Sequence, residues 1–175
     1  ASPVTENITP SEENGLLSGT YDLYYYDEPT HYWMNHKPGN NHSGFDLTHK
    51  QGYLYANNAE TTLQFEGTLA PSNSNVIVSG LSHSAETLNG FNLVGNPFAC
   101  NATVDKDCYV ISGKQVILAT NTPTLAPCEG VMVKANSDQF AVTFTKASGA
   151  KSNGKGKSLD LVVTQGKANI DRARV

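Results

Sequence analysis

The chain has 175 residues, of which 38% are hydrophobic, and it carries a formal net charge of -4. This length suits one domain with a single core, and the acidic balance gives no electrostatic reason to bind nucleic acid. No apolar run approaches the roughly 18 residues that span a bilayer, so we expect neither a nucleic-acid partner nor membrane insertion.

Residues 1–18 are mostly polar, contain two prolines and show no hydrophobic periodicity. This composition is typical of a linker or a disordered arm. We therefore expect the folded part to be a single β-sandwich domain over residues 19–175.

After Gly19 the sequence breaks into short β-rich runs between clusters of Gly, Asn, Ser and Pro. In chain order the runs are YDLYYY, GYLYA, TTLQFEG, NVIVSG, GFNLVG, CYVI, QVILA, GVMVKA, FAVTF, LDLVV and ANIDRARV. No amphipathic helical pattern separates them. The pattern predicts an all-β chain, folded as an antiparallel β-sandwich of the jelly-roll type.

Two hydrophobic patterns occur within these runs. Leu63 and Phe65 alternate with polar neighbours, as expected of a strand with one buried face. The runs 76–78 (VIV) and 131–133 (VMV) are apolar at every position, which predicts central strands covered on both faces.

The run GFNLVGNPFAC at 90–100 predicts a corner of the fold. We expect Gly95 to adopt backbone angles that other residues avoid. Asn96 is held extended by Pro97, which lacks the N–H that would continue the strand. Phe98 is then expected to return to the core.

Residues 29–50 contain four of the five histidines and the only tryptophan. We expect a long surface loop here, the kind of segment that often carries function.

Aromatic residues on both sides of Pro29 are the strongest candidates for ligand contact: Tyr24, Tyr26, Tyr32 and Trp33. Exposed rings stack on sugars or anchor protein partners. Because strand side chains alternate, we expect Tyr24 and Tyr26 to point outwards and Tyr25 to pack inwards. The alternative is that these rings only cover the edge of the core.

The histidines His31, His36, His42 and His49 match no common metal-ligand spacing. The sequence also lacks a nucleophile elbow and nucleotide-binding glycine motifs. We therefore expect no metal, no cofactor and no catalytic residue.

Two acidic pairs, Asp27 with Glu28 and Asp105 with Asp107, raise the alternative of a carbohydrate-active hydrolase, which needs two carboxylates that face each other. Both pairs lie beside turn residues, where carboxylates commonly accept hydrogen bonds from the local backbone. We expect this structural role.

Three cysteines, Cys100, Cys108 and Cys128, allow one disulfide and one free thiol. No CxxC pair is present, so a structural zinc site is not expected.

The order of motifs, GYLYAN, then LVGNPF, then APCEGVMV, resembles a β-sandwich module that recurs in large secreted or outer-surface proteins of Bacteroidetes. The resemblance covers residues 19–175. It implies an extracellular or cell-surface location, and it implies a Cys100–Cys128 disulfide, with Cys108 as the competing partner of Cys100.

The resemblance also implies a non-catalytic module within a larger protein. Its expected role is binding or adhesion, with a glycan, a protein ligand or neighbouring domains of the parent protein as partners. The alternatives are a carbohydrate-active hydrolase and a purely structural spacer or export-linked domain.

Overall fold

A computed structural model describes residues 1–37, 44–71, 75–84, 88–112, 115–147 and 158–163. Within these residues the secondary structure consists of β-strands without a helix, which confirms the all-β prediction. The strands are β1 (Tyr21–Asp27), β2 (Tyr32–Asn35), β3 (Leu54–Asn57), β4 (Thr61–Glu66), β5 (Val76–Val78), β6 (Phe91–Gly95), β7 (Ala102–Val104), β8 (Cys108–Ser112), β9 (Gln115–Ala119), β10 (Thr124–Leu125), β11 (Gly130–Lys134), β12 (Val142–Lys146) and β13 (Ser158–Val163).

The described strands form four antiparallel sheets, and none of the sheets closes into a barrel. Their orders are β2-β1-β3, β10-β7-β12-β5, β6-β11-β8-β9 and β13-β4. In the part of the chain that is described, no helix is long and apolar enough to cross a membrane.

The sequence locates most strands, but three short ones lie outside the predicted runs. These are β2, β7 and β10. Of the two C-terminal runs, LDLVV forms β13, which pairs with β4 over its whole length, and ANIDRARV lies outside the described residues.

The two hydrophobic patterns have different outcomes. In β4 the predicted alternation is confirmed, because Leu63 and Phe65 are fully buried between exposed polar residues. The prediction for β5 is wrong at Ile77, whose side chain is exposed between two buried valines. In β11, Val131 and Val133 are buried and Met132 is half-buried.

Buried side chains form two separate hydrophobic clusters. One is built by β5 to β8 and β10 to β12 and includes Val104, Val133 and Phe144. The other is built by β1, β3 and β4 and includes Leu23 and Phe65. Backbone hydrogen bonds between residues 50–52 and β6 connect the two regions.

Three residues of the segment 1–18 pack in this second cluster, which corrects the expectation of a linker or disordered arm. Val4 and Leu16 are fully buried in it. The Ala1 backbone nitrogen donates to the Cys128 carbonyl at 2.8 Å, and Ile8 exchanges backbone hydrogen bonds with Leu47. A few apolar side chains in a polar segment therefore hold it against the sheets.

The segment predicted as a long surface loop contains β2, which pairs with β1. Near its end, Leu47 is completely buried and bridges to the N-terminal segment. Residues 38–43, between these two parts, lie outside the described residues.

The GFNLVGNPFAC run forms the predicted corner, and Asn96 holds it. The strand β6 ends at Gly95, and Phe98 returns to the core with 2% exposure. The Asn96 side chain is fully buried, and its Nδ2 donates to the carbonyls of Cys100 (2.9 Å), Leu125 (3.3 Å) and Ala126 (2.8 Å).

The reason for glycine at position 95 differs from the expected one. Gly95 does not adopt a positive φ. A Cβ atom there would collide with the Cβ of Ala1 and lie 3.2 Å from the Gln51 carbonyl oxygen. Close packing of the N-terminal segment, rather than backbone angle, therefore requires glycine.

Candidate binding groove

A groove of about 660 Å³ runs between the β1–β2 hairpin and the β6-β11-β8-β9 sheet. Its lining is mainly aromatic and aliphatic: Tyr26 and Trp33 on the hairpin, and Phe91, Tyr109, Met132 and Val116 on the sheet. We call this cavity the aromatic groove. Its size and apolar lining are those of a ligand-binding cleft.

The hairpin wall is made by a cross-strand aromatic pair. Tyr26 on β1 is opposite Trp33 on β2, and the two ring centroids are 5.1 Å apart with a tilt of 49°. Tyr26 is 5% exposed, whereas Trp33 is 43% exposed. Tyr26 thus supports the Trp33 ring, which remains accessible to a ligand.

A second aromatic pair lies on the opposite wall. Phe91 on β6 and Tyr109 on β8 are 5.5 Å apart between ring centroids. The Lys134 ammonium lies 5.4 Å from the centre of the Phe91 ring, within cation–π range. The register pairs Lys134 with Phe91, and it pairs Met132, two residues away on β11, with Tyr109, so these side chains share one sheet face.

The outer rim of the aromatic groove is the edge strand β9. Three consecutive residues on this strand, Val116, Ile117 and Leu118, have exposed side chains at 69%, 44% and 50%. The strand pairs with β8 on one side, and among the described residues no strand pairs with its other side. The apolar cleft therefore continues into a free strand edge.

Two of the four predicted ligand-contact residues, Tyr26 and Trp33, line this groove. Tyr24 is half-buried, and its hydroxyl accepts a hydrogen bond from Asn35 Nδ2 at 3.2 Å. Tyr32 is 65% exposed, but its cross-strand partner is Asp27, so it lies on the other face of the hairpin from Trp33.

Strand alternation places Tyr25 inside as predicted, where its ring contacts the Phe45 ring at 4.9 Å. The expectation that Tyr26 points into solvent is wrong. It is on the opposite face from Tyr25, but the β6 sheet region covers that face. Burial, followed by the charges of Glu28 and Asp27, raises the pKa of Tyr26.

Sequence reasoning missed the sheet wall and the β9 rim as parts of one site. A signal was present in the CYVIS and QVILA runs, which contain no charged residue and are separated in the sequence by two residues, one of them glycine. Such a pair predicts a hairpin. An apolar pattern without alternation does not reveal which face is covered.

Among the described residues, the histidines of the predicted set do not form a group of metal ligands. His31 Nε2 lies 2.8 Å from the Ser84 hydroxyl. The His36 ring packs against Tyr21 and Phe45. The backbone of His49 forms a β-bridge with Ser2. His42 lies outside the described residues. The described chain contains no group of three or more potential metal ligands.

Three of the four predicted acidic residues accept hydrogen bonds from backbone or hydroxyl groups: Asp27, Glu28 and Asp105. Asp105 accepts from the Thr143 amide at 2.7 Å and from Lys106 Nζ at 2.9 Å. Asp27 accepts from the Thr30 hydroxyl. The expected backbone role is therefore found for Asp105, but its partner is distant in sequence.

All three cysteines are buried free thiols, which corrects the predicted Cys100–Cys128 disulfide. Cys100 and Cys108 belong to the first hydrophobic cluster, and Cys128 belongs to the second. Burial raises the pKa of Cys128 to about 11, and burial with the nearby charges of Glu129 and Asp107 does the same for Cys108. Such thiols are poor nucleophiles.

The corner that the disulfide was expected to hold is fixed by hydrogen bonds instead. Asn96 connects the carbonyl of Cys100 to the carbonyls of Leu125 and Ala126. The backbone N–H of Asn96 also donates to the Glu129 carbonyl at 2.9 Å.

The resemblance to a bacterial surface module stays a prediction. Comparisons of the chain with protein-family models, with curated proteins and with solved structures find no match.

Proposed function

We propose that the chain is a non-catalytic binding module of a larger extracellular or cell-surface protein, with its sheets packed as a jelly-roll-like β-sandwich. The aromatic groove and the β9 edge form its ligand-binding surface. The preferred ligand is an extended apolar segment of a protein partner. The single observation that supports this proposal is the continuity between an aromatic cleft and a free strand edge.

The free edge favours a polypeptide ligand. The β9 edge offers backbone N–H and C=O groups to a further strand, and addition of a strand is a common mode of peptide recognition. Its side chains are apolar and exposed, with Val116 at 69%. Long exposed apolar edges are normally protected by charge, proline or a covering element, so a bound partner strand would explain this one.

The chemistry of the groove also favours a polypeptide over a glycan. Sugars present many hydroxyl groups that need hydrogen-bond partners, whereas most of this lining is hydrocarbon. The Glu129 carboxylate, one of the few charged groups at the groove, already accepts from the Ala126 amide at 2.8 Å. An apolar strand would cover Trp33 and Val116 with hydrocarbon, and its backbone C=O groups would be available as acceptors for the Trp33 indole N–H.

A display library of random peptides, selected on the immobilised chain, tests the proposal. We expect enrichment of peptides with alternating apolar residues. Trp33→Ala and Val116→Lys should each weaken binding of a selected peptide by at least roughly tenfold, since the first removes the accessible ring of the groove and the second puts a charge on its apolar edge. Titration calorimetry of the purified variants measures the change.

Tyr32→Ala is the matched control, because Tyr32 is next to Trp33 in sequence but lies on the other face of the hairpin. It should bind the selected peptide like the wild type. A screen that enriches no peptide, or binding that depends on Tyr32 and not on Trp33, contradicts the proposal. Trp33-dependent binding on a glycan array would replace the polypeptide ligand by a glycan.

A further inference from the structure

The edge strand β9 is exposed on both of its faces. Val116 and Leu118 point to one face of the sheet and Ile117 to the other, because strand side chains alternate. Their exposed fractions are 69%, 50% and 44%. Ile117 is opposite Val110 on β8, and Val110 packs against the first hydrophobic cluster. In the part of the chain that is described, β9 therefore buries neither face.

The other edge strand with an exposed isoleucine, β5, shows the usual arrangement. It ends its own sheet, but Val76 and Val78 are buried and only Ile77, between them, is exposed. One face of β5 thus belongs to the core. The two-sided exposure of β9 is a property of that strand and does not follow from its place at a sheet edge.

This exposure determines what kind of partner can cover β9. A ligand that lies only in the aromatic groove contacts the face of Val116, which lines the groove, and leaves Ile117 in water. A strand added in the plane of the sheet has side chains on both faces, and each lies beside a β9 side chain on the same face. Complete cover of β9 therefore requires an added strand.

The sequence of β9, QVILA, is complementary to itself. When two copies pair antiparallel about Ile117, Val116 faces Leu118 of the second copy, Leu118 faces Val116, and Ile117 faces its own copy. Each of these three cross-strand pairs is apolar on both sides.

The absence of charge also favours pairing of two identical strands. A two-fold interface brings the same surface from both copies together, and like charges that face each other across two strands are destabilising. The sequence from Gln115 to Cys128 contains no charged residue. Two copies of β9 can therefore approach without electrostatic repulsion from this segment.

We propose that β9 pairs with β9 of a second copy of this chain, so that two four-stranded sheets join into one across a two-fold axis. The inference rests on the proposed function, in that β9 accepts an added strand, and it names the partner. Because paired residues share a face, Val116 and Leu118 of the second copy extend the apolar rim of the aromatic groove.

Sedimentation velocity of the purified chain between about 10 μM and 1 mM tests the proposal. We expect the mass to rise with concentration from 18.8 kDa towards twice that value. A contact of five residue pairs is small, so we expect a dissociation constant between about 10 μM and 1 mM. A chain that stays monomeric up to about 1 mM overturns the proposal.

Ile117→Lys puts two like charges opposite each other at the centre of the pairing and should weaken the dimer by at least about tenfold. Ile77→Lys, the same substitution at the exposed isoleucine of β5, is the matched control and should dimerise like the wild type. Lysine is common on edge strands, and circular dichroism checks that both variants are folded. Equal dimerisation of the two folded variants contradicts the pairing.

A mixture of two variants tests the register itself. Ile117→Glu alone should dimerise as poorly as Ile117→Lys, whereas an equimolar mixture of the two brings opposite charges together at the two-fold axis. We expect the mixed dimer to be at least about threefold tighter than either variant alone. A mixture that associates no better than its components means that Ile117 does not face its own copy, and this overturns the proposal.

The outcome is separable from that of the peptide screen. Trp33 lies on the hairpin wall of the groove and not on β9, so Trp33→Ala should weaken peptide binding and leave the sedimentation unchanged. A monomeric chain that binds selected peptides would refute self-pairing alone. A dimer that is sensitive to Ile117→Lys, in a chain that enriches no peptide, would refute the peptide ligand alone.

Discussion

The β6 corner and the β9 edge use apolar residues in opposite ways. At the corner, Phe98 is buried and the Asn96 side chain donates to three carbonyls. At the edge, Val116, Ile117 and Leu118 are exposed on a strand that ends its sheet. Both segments are rich in hydrophobic residues, but only the corner uses them to stabilise the fold.

The comparison teaches that hydrophobicity alone does not separate core from binding surface. What differs is whether the backbone and polar groups beside the apolar residues have partners. At the corner, the buried Asn96 side chain donates to the carbonyls of Cys100, Leu125 and Ala126. At the edge, the backbone of β9 is open to an added strand. Substitutions at the two places should therefore have very different effects on the free energy of unfolding.

The largest effect is expected from Asn96→Ala. It leaves the buried carbonyls of Cys100, Leu125 and Ala126 without this donor, which should lower the free energy of unfolding by about 3–5 kcal/mol. Urea unfolding followed by circular dichroism measures the change. Asn101→Ala, at an exposed position of the same corner, is the control and should change stability by less than about 0.5 kcal/mol. A similar loss in both variants would show that Asn96 does not hold the corner.

A smaller effect is expected from Gly90→Ala, at the start of the corner. Gly90 has a φ of 79°, and a Cβ atom there would collide with the Ala135 carbonyl oxygen. Strain and collision together should cost about 3 kcal/mol. Gly80 has a φ of 72° with no atom within 4 Å of an added Cβ, so Gly80→Ala should cost only the strain of about 1 kcal/mol. Thermal unfolding compares the two, and equal costs would exclude the collision.

The smallest effect is expected at the edge, where the same substitution separates edge from core. Val133→Ala removes a fully buried side chain from β11 and should cost about 2 kcal/mol. Val116→Ala should change the free energy of unfolding by less than about 0.5 kcal/mol, because Val116 is 69% exposed. Urea unfolding provides both values. A large loss at Val116 would mean that the edge is part of the stabilising core, which would weaken its assignment to binding.

Much of the fold is predictable from the local pattern of the chain. The alternation of Leu63 and Phe65 and the Asn-Pro stop after Gly95 define strands and their ends because both depend on neighbouring residues. The short strand β2 is less visible, since its YWMN run lacks alternation and lies among turn residues. The N-terminal segment is missed because a few apolar residues, such as Val4 and Leu16, produce no periodicity.

The candidate site is only partly predictable, because its residues come from segments that are far apart in the chain. Trp33 and Tyr26 are recognisable as aromatic candidates, but the sheet wall that faces them comes from residues 91–132, distant in sequence. Glu28 resembles an ordinary turn carboxylate until the Ser84 and Gly90 amides are placed on one of its oxygens. The pairing of cysteines likewise depends on distances that spacing does not determine.

The sequence by itself determined the all-β class, most of the strands and the corner after β6, because periodicity, glycine and proline act on the local backbone. Tertiary structure alone decided that Val4 and Leu16 pack in the core, that the cysteines stay free, and that Tyr26 and Trp33 face a sheet wall across an apolar groove. These features depend on contacts between segments far apart in the chain, and such contacts leave no local pattern.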